Sequence, residues 1–180
     1  MLWDPPTDHP LRRMFSGYAE HTFQQNFGLA DPPLIDYLSG LLCRFLHSDA
    51  IHRLKDGHGR PIEQVAEMVA EVADLPASPT RREVHRHIGD FALFYTGVYP
   101  EALRKLKAVD RLDYFIDYCS QGKRSYAIAG EFDREPFRAE SAVLLRLADE
   151  FELCAYGLRQ VRAEWERDRV LEGATPRLLG

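Results

Sequence analysis

A chain of 180 residues with 45 % hydrophobic and 28 % charged side chains is long enough to bury its own core and has the composition of an ordinary soluble globule. Its formal net charge of −5 speaks against nucleic acid as a main partner, because binding phosphate backbones needs a positive face. No apolar run approaches the roughly 20 residues that cross a bilayer, and the opening MLWDPPTDHPLRR lacks a secretory pattern, so no membrane contact and a cytoplasmic location are expected.

The apolar period is helical along almost the whole chain. Asp8 is a cap candidate for a first helix whose stripe is Leu11, Met14, Phe15, Tyr18, Thr22 and Phe23, with Gly28 as its end. Asp31 caps a second helix with Pro32 at the first position, where a missing N–H costs nothing. Leu34, Leu38, Leu41, Leu42 and Phe45 are its buried stripe. A short helical turn is expected over Ala50 to Leu54, and DGHGRP, residues 56 to 61, reads as a loop. Pro61 then opens a helix carrying Ile62, Val65, Val69 and Val72.

Thr80, with Glu83 three residues on, predicts a capping box for the next helix. It runs to about Tyr99, where Pro100 sets a boundary. Its C-terminal half is apolar nearly all round, the pattern of a helix buried on most sides. A brief helix with Leu103 and Leu106 follows. Asp110 then caps a longer one with Leu112, Phe115, Cys119, Gly122, Tyr126 and Ala129 in line. After the EFDREP loop one last helix is expected from about Arg138 to Arg167, and residues 171–180 read as a loose tail. The expected fold is all-α, a single domain over residues 1–170 with six or seven helices around a central buried helix at about 80–99.

The central helix also holds the most suggestive polar residues. His85 and His87 point about 200° apart on a regular helix and cannot share a metal. His85 is expected to look outward, near Arg81 and Arg82. His87 and Asp90, three apart, share a face, and a carboxylate beside an imidazole fixes its tautomer. That pair reads either as a satisfied core histidine or as a base and its orienting acid. The second reading needs a pocket between the 80–99 and 110–130 helices, lined by Tyr95, Tyr99, Tyr114, Tyr118 and Tyr126, with Arg124 available to a ligand.

Other clusters have plain explanations. Asp110, Asp113 and Asp117 at a helix start suit the macrodipole and would need further oxygens to hold Mg²⁺. Asp49, His52, His47 and His58 read as a solvated segment with some metal-binding potential. Arg81, Arg82 and Arg86 at a helix start oppose the dipole. They call for acids on another helix, an acidic partner or a phosphorylated ligand. Cys43, Cys119 and Cys154, an odd number without a CxxC pair, read as buried reduced thiols.

Three functions follow as expectations. The first is a helical protein acting through self-association, as a homodimer, or through a protein partner. The second is a small-molecule binder or enzyme with His87 as base or ligand. The third is a metal protein using histidines of different helices. The motifs identify no family and name no cofactor.

Overall fold

The computed structural model describes residues 5–46, 55, 57–60, 62, 64–105, 111–171 and 173, with the backbone alone at 104, 105 and 111–116. These residues form eight helices and no strand, where six or seven helices were expected. They are α1 (Pro10–Glu20), α2 (Pro32–Phe45), α3 (Val65–Val72), α4 (Pro79–Leu93), α5 (Pro100–Lys105), α6 (Arg111–Gly130), α7 (Arg138–Asp149) and α8 (Phe151–Leu171). The turn expected over Ala50 to Leu54, the residues His47, Asp49, His52, Pro61 and Asp110, and residues 174–180 of the expected tail lie outside the described residues.

Local chemistry sets most boundaries. His9, not Asp8, caps α1: its Nδ1 accepts from the Leu11 N–H at 3.2 Å, and Pro10 takes the first turn. The chain then widens into one π-helical stretch, His21–Asn26, and leaves it through Gly28 at φ +66°, a conformation that favours glycine. Asp31 caps α2 as expected, accepting from Leu34 N–H at 3.2 Å. The cap of α4 is Ser78, which accepts from Arg81 N–H at 3.2 Å, rather than Thr80. With Pro79 preorganised for the first helical position, Thr80 already lies inside the helix.

From His87 to Leu93 every residue of α4 is buried, as is Phe94 after it. The helix continues as a second π-helical stretch, Phe94–Val98, closed by a Tyr99 N–H to Phe94 carbonyl bond of 3.1 Å before Pro100. α6 lies along α4 in the most extensive helix contact of the structure and along α7 in the next. Glycine makes the first of these close: a Cβ at Gly89 would stand 2.5 Å from Tyr126 Cδ1, and one at Gly122 2.8 Å from Ala92 Cβ.

The single long helix expected over 138–167 is two. Glu150 departs from helical geometry at φ −107°, ψ 26°. Its N–H closes α7 on the Arg146 carbonyl and its own carbonyl accepts from Cys154 N–H, both at 2.9 Å. The apolar stripe keeps its phase across the break, from Leu147 through Phe151 to Cys154, all buried, so periodicity gives no sign of it. The bend lets α8 pack on both the π turn at 94–98 and α1. Among the described residues no helix is long and apolar enough to cross a membrane.

Candidate functional site

Asp90 is 1 % exposed, and a carboxylate so far from water needs partners. Two other helices supply them. Tyr37 on α2 donates its hydroxyl to Asp90 Oδ1 at 2.7 Å, and Tyr126 on α6 donates to the same oxygen at 2.8 Å. Arg44, two turns beyond Tyr37 on α2, reaches Oδ2 at 3.1 Å. Arg86, one turn before Asp90, donates its Nε–H to the Tyr37 hydroxyl at 3.2 Å. The guanidinium groups of Arg44 and Arg86 also stand 5.2 and 5.6 Å from the Tyr37 ring centroid, within cation–π range.

The chain of charges then runs outward. Arg86 pairs with Glu140 of α7 at 3.2 Å and with Glu83 at 3.4 Å. Arg82 pairs with the same two acids and lies 4.3 Å from the Phe137 ring centroid. Two of the three arginines that oppose the α4 dipole are therefore answered by acids within the fold.

Electrostatics fix the protonation state of this network. Burial alone would raise the Asp90 carboxyl, but Arg44, Arg86 and the two phenol hydrogen bonds outweigh it and hold the group below the ordinary carboxylate range. Burial first, and the Asp90 charge second, push the hydroxyls of Tyr37 and Tyr126 well above theirs. An ionised acid that accepts three hydrogen bonds has its buried charge answered within the fold.

The remaining candidate residues separate from this network. His87 does not orient Asp90: its ring stacks on Phe45 at 5.9 Å and lies 6.3 Å from Phe91. Tyr95, Tyr99 and Tyr118 belong to an aromatic run through Phe91, with centroid spacings of 4.5 Å for Phe91–Tyr95, 6.5 Å for Tyr95–Tyr99 and 6.5 Å for Phe91–Tyr118. Of the tyrosines proposed to line a pocket, Tyr126 alone is hydrogen-bonded to Asp90 among the described side chains. The side chain of Tyr114, like that of Asp113, lies outside the described residues.

His85 reverses its expected orientation. It is 4 % exposed, with Nδ1 3.4 Å from Ser125 Oγ on α6. Burial first, then the charges of Arg81 and Arg124, hold its imidazole down to about 4. Burial likewise pushes the Cys119 and Cys154 thiols up to about 11 and about 12, away from nucleophilic thiolates. Among the described residues no three His, Cys, Asp or Glu side chains come together as a metal site.

Sequence reasoning missed Tyr37, Arg44 and Glu140. The signal for the first two was present: a tyrosine and an arginine seven apart, on one face of a helix rich in leucine. Buried polar groups of that kind require partners. One open concave surface among the described residues lies elsewhere, between α1 and α8. It is a cleft of about 510 Å³ lined by Arg13, Tyr18, His21, Glu164, Arg167 and Asp168, among others, with Tyr18 donating to Asp168 at 2.9 Å. Comparison with protein families, with curated proteins and with solved structures finds no match to the chain.

Proposed function

We propose that this chain is a single helical domain, built around α4, that works by self-association through the outer face of α8. One observation carries the reading: Tyr156, Ala163 and Val170, spaced by seven residues, are all exposed, with Leu171 beside them. Tyr156 is 51 %, Val170 61 % and Leu171 78 % exposed. Residues seven apart lie one above another on a single helix face, one of the two positions per heptad through which paired helices meet. The opposite face of α8, from Phe151 through Cys154, Leu158 and Val161 to Trp165, is already buried against the fold.

The cleft alongside this face suits a second copy. It carries both charge signs, Arg13 and Arg167 against Glu164 and Asp168, and a two-fold interface must be complementary to itself. The alternative of a small-molecule site between α4 and α6, with His87 as its base, has less support, because those helices are in direct contact at Gly89 against Tyr126 and at Gly122 against Ala92. A histidine metal site lacks a converging donor set among the described residues. The three buried cysteines accord with a reducing, cytoplasmic setting.

Sedimentation velocity across a wide range of protein concentration tests the proposal. The expected result is a reversible monomer–dimer equilibrium; a monomer at every concentration overturns it.

A further inference from the structure

Glycine weakens the interior of a helix relative to alanine, so a glycine found there needs a reason. Packing supplies one for Gly40, Gly89, Gly97, Gly122, Gly130 and Gly157. A Cβ at each would meet another part of the chain, at distances from 2.3 Å at Gly157 to 2.9 Å at Gly97. Gly17 is different. It lies within α1, its carbonyl accepts from the His21 N–H, and its φ is not positive. A Cβ there meets nothing within 4 Å. Neither the backbone nor the described neighbours call for glycine at this position.

The space that Gly17 leaves open belongs to the cleft between α1 and α8. Gly17 lines this cavity of about 510 Å³ together with Arg13, Glu164 and Arg167. Its neighbour Tyr18 donates to Asp168 at 2.9 Å, which ties α1 to α8 beside the recess. Val170 follows Asp168 by two residues and is 61 % exposed. Arg167 comes four residues after Ala163 and three before Val170. Residues so spaced are surface neighbours on a helix, so the rim of the cleft adjoins the exposed line of Tyr156, Ala163 and Val170. A projecting apolar side chain and an unfilled recess thus lie close together on one surface.

A two-fold pair needs that combination, because the same patch must act as both projection and recess. Given self-association through the outer face of α8, on which this assignment rests, we infer that Gly17 is the recess of the pair: Val170 of each copy enters the cleft of the other over Gly17. The joined surface then includes α1 as well as α8. The cleft's Arg13 and Arg167 are matched across the two-fold axis by Glu164 and Asp168 of the second copy, which gives the pair its register. A small molecule needs most of its own surface enclosed; an open cleft bordered by exposed apolar side chains suits a protein surface better.

Sedimentation velocity of the wild type, Gly17→Gln and Gly17→Phe tests this, with circular dichroism of each at low concentration. Both side chains would fill the recess at an exposed position where the chain itself leaves room. The expected result is unchanged helix content and a dimer dissociation constant raised about tenfold or more. A second measurement does not depend on those variants. Chains carrying Gly17→Cys are mixed with chains carrying Val170→Cys and oxidised at a concentration where the wild type pairs. The three native cysteines are buried, and a disulfide between the two kinds of chain is expected in excess of that formed by either alone. A wild type that never pairs overturns the self-association reading and this one with it. A wild type that pairs, with equal affinity in both Gly17 variants or with no excess of the mixed disulfide, overturns the recess alone and leaves pairing through α8 in place.

Discussion

Tyr126 donates its hydroxyl to Asp90 Oδ1 across 2.8 Å while its ring occupies the space that a side chain at Gly89 would need. One residue thereby ties the polar and the close-packed parts of the α4–α6 contact together. Tyr126→Phe keeps the ring and deletes the hydrogen bond to the ionised acid. The expected loss is about 1.5–3 kcal/mol, read as a lower urea midpoint with an unchanged slope.

The ring itself makes Gly89 intolerant of substitution. A Cβ there meets Tyr126 Cδ1 at 2.5 Å, and overpacking of that kind costs about 1–3 kcal/mol, more than the ~1 kcal/mol of helix propensity that alanine gains over glycine. Gly17 on α1 is the control, since a Cβ there meets nothing within 4 Å. Gly89→Ala should melt at a lower temperature than the wild type and Gly17→Ala at a higher one.

Removing Arg44 leaves Asp90 charged, buried and without its direct ion pair. Arg44→Met should therefore destabilise by about 3–5 kcal/mol. The folded-state pKa of Asp90 is depressed, so its contribution is present above the unfolded carboxylate value and is lost as pH falls through the folded value. Without Arg44 the folded value rises, and the acid-unfolding midpoint should move to higher pH. Adding Asp90→Leu should restore little, because the hydroxyls of Tyr37 and Tyr126 then lose their acceptor.

His85 acts in the same direction, though as a base kept neutral rather than an acid kept charged. Its folded value of about 4 lies below the ordinary 6.5, so the unfolded chain takes up a proton in that window while the folded chain does not. Stability should fall as pH drops from about 6.5 toward 4. The size is about 1–2 kcal/mol once solvent screening of the exposed Arg124 charge is allowed for. His85→Gln should flatten that part of the stability profile; an unchanged slope would assign it to other groups.

Charges on the outer face of α8 should abolish pairing without unfolding the chain. Val170→Glu with Leu171→Glu changes two residues that are 61 % and 78 % exposed, where surface substitutions shift stability by only about 0.5 kcal/mol. Light scattering should give a monomer mass for the double variant at concentrations where the wild type is dimeric, with the same melting temperature after dilution.

Much of this organisation is written locally. Asp31 before Pro32 starts α2, Pro100 ends the α4 segment, and the apolar sweep from Ile88 to Phe94 marks the part of α4 that is wholly buried. Such signals depend on backbone geometry and on the 3.6-residue repeat, which neighbours in sequence decide. The periodicity of residues 138–167 was equally clear yet concealed the bend at Glu150, because a helix can break without shifting the phase of its stripe.

Partnership was another matter. Asp90 looked paired with His87, three residues away, yet its hydrogen bonds come from Tyr37 and Arg44 on α2 and Tyr126 on α6. His85, placed outward by the wheel, turns inward onto Ser125. Helical spacing determines which face a side chain occupies. Which helix meets that face, and which of its groups comes within hydrogen-bond reach, depends on how all the apolar stripes pack at once, and that tertiary arrangement alone gathered polar residues of four helices into one network.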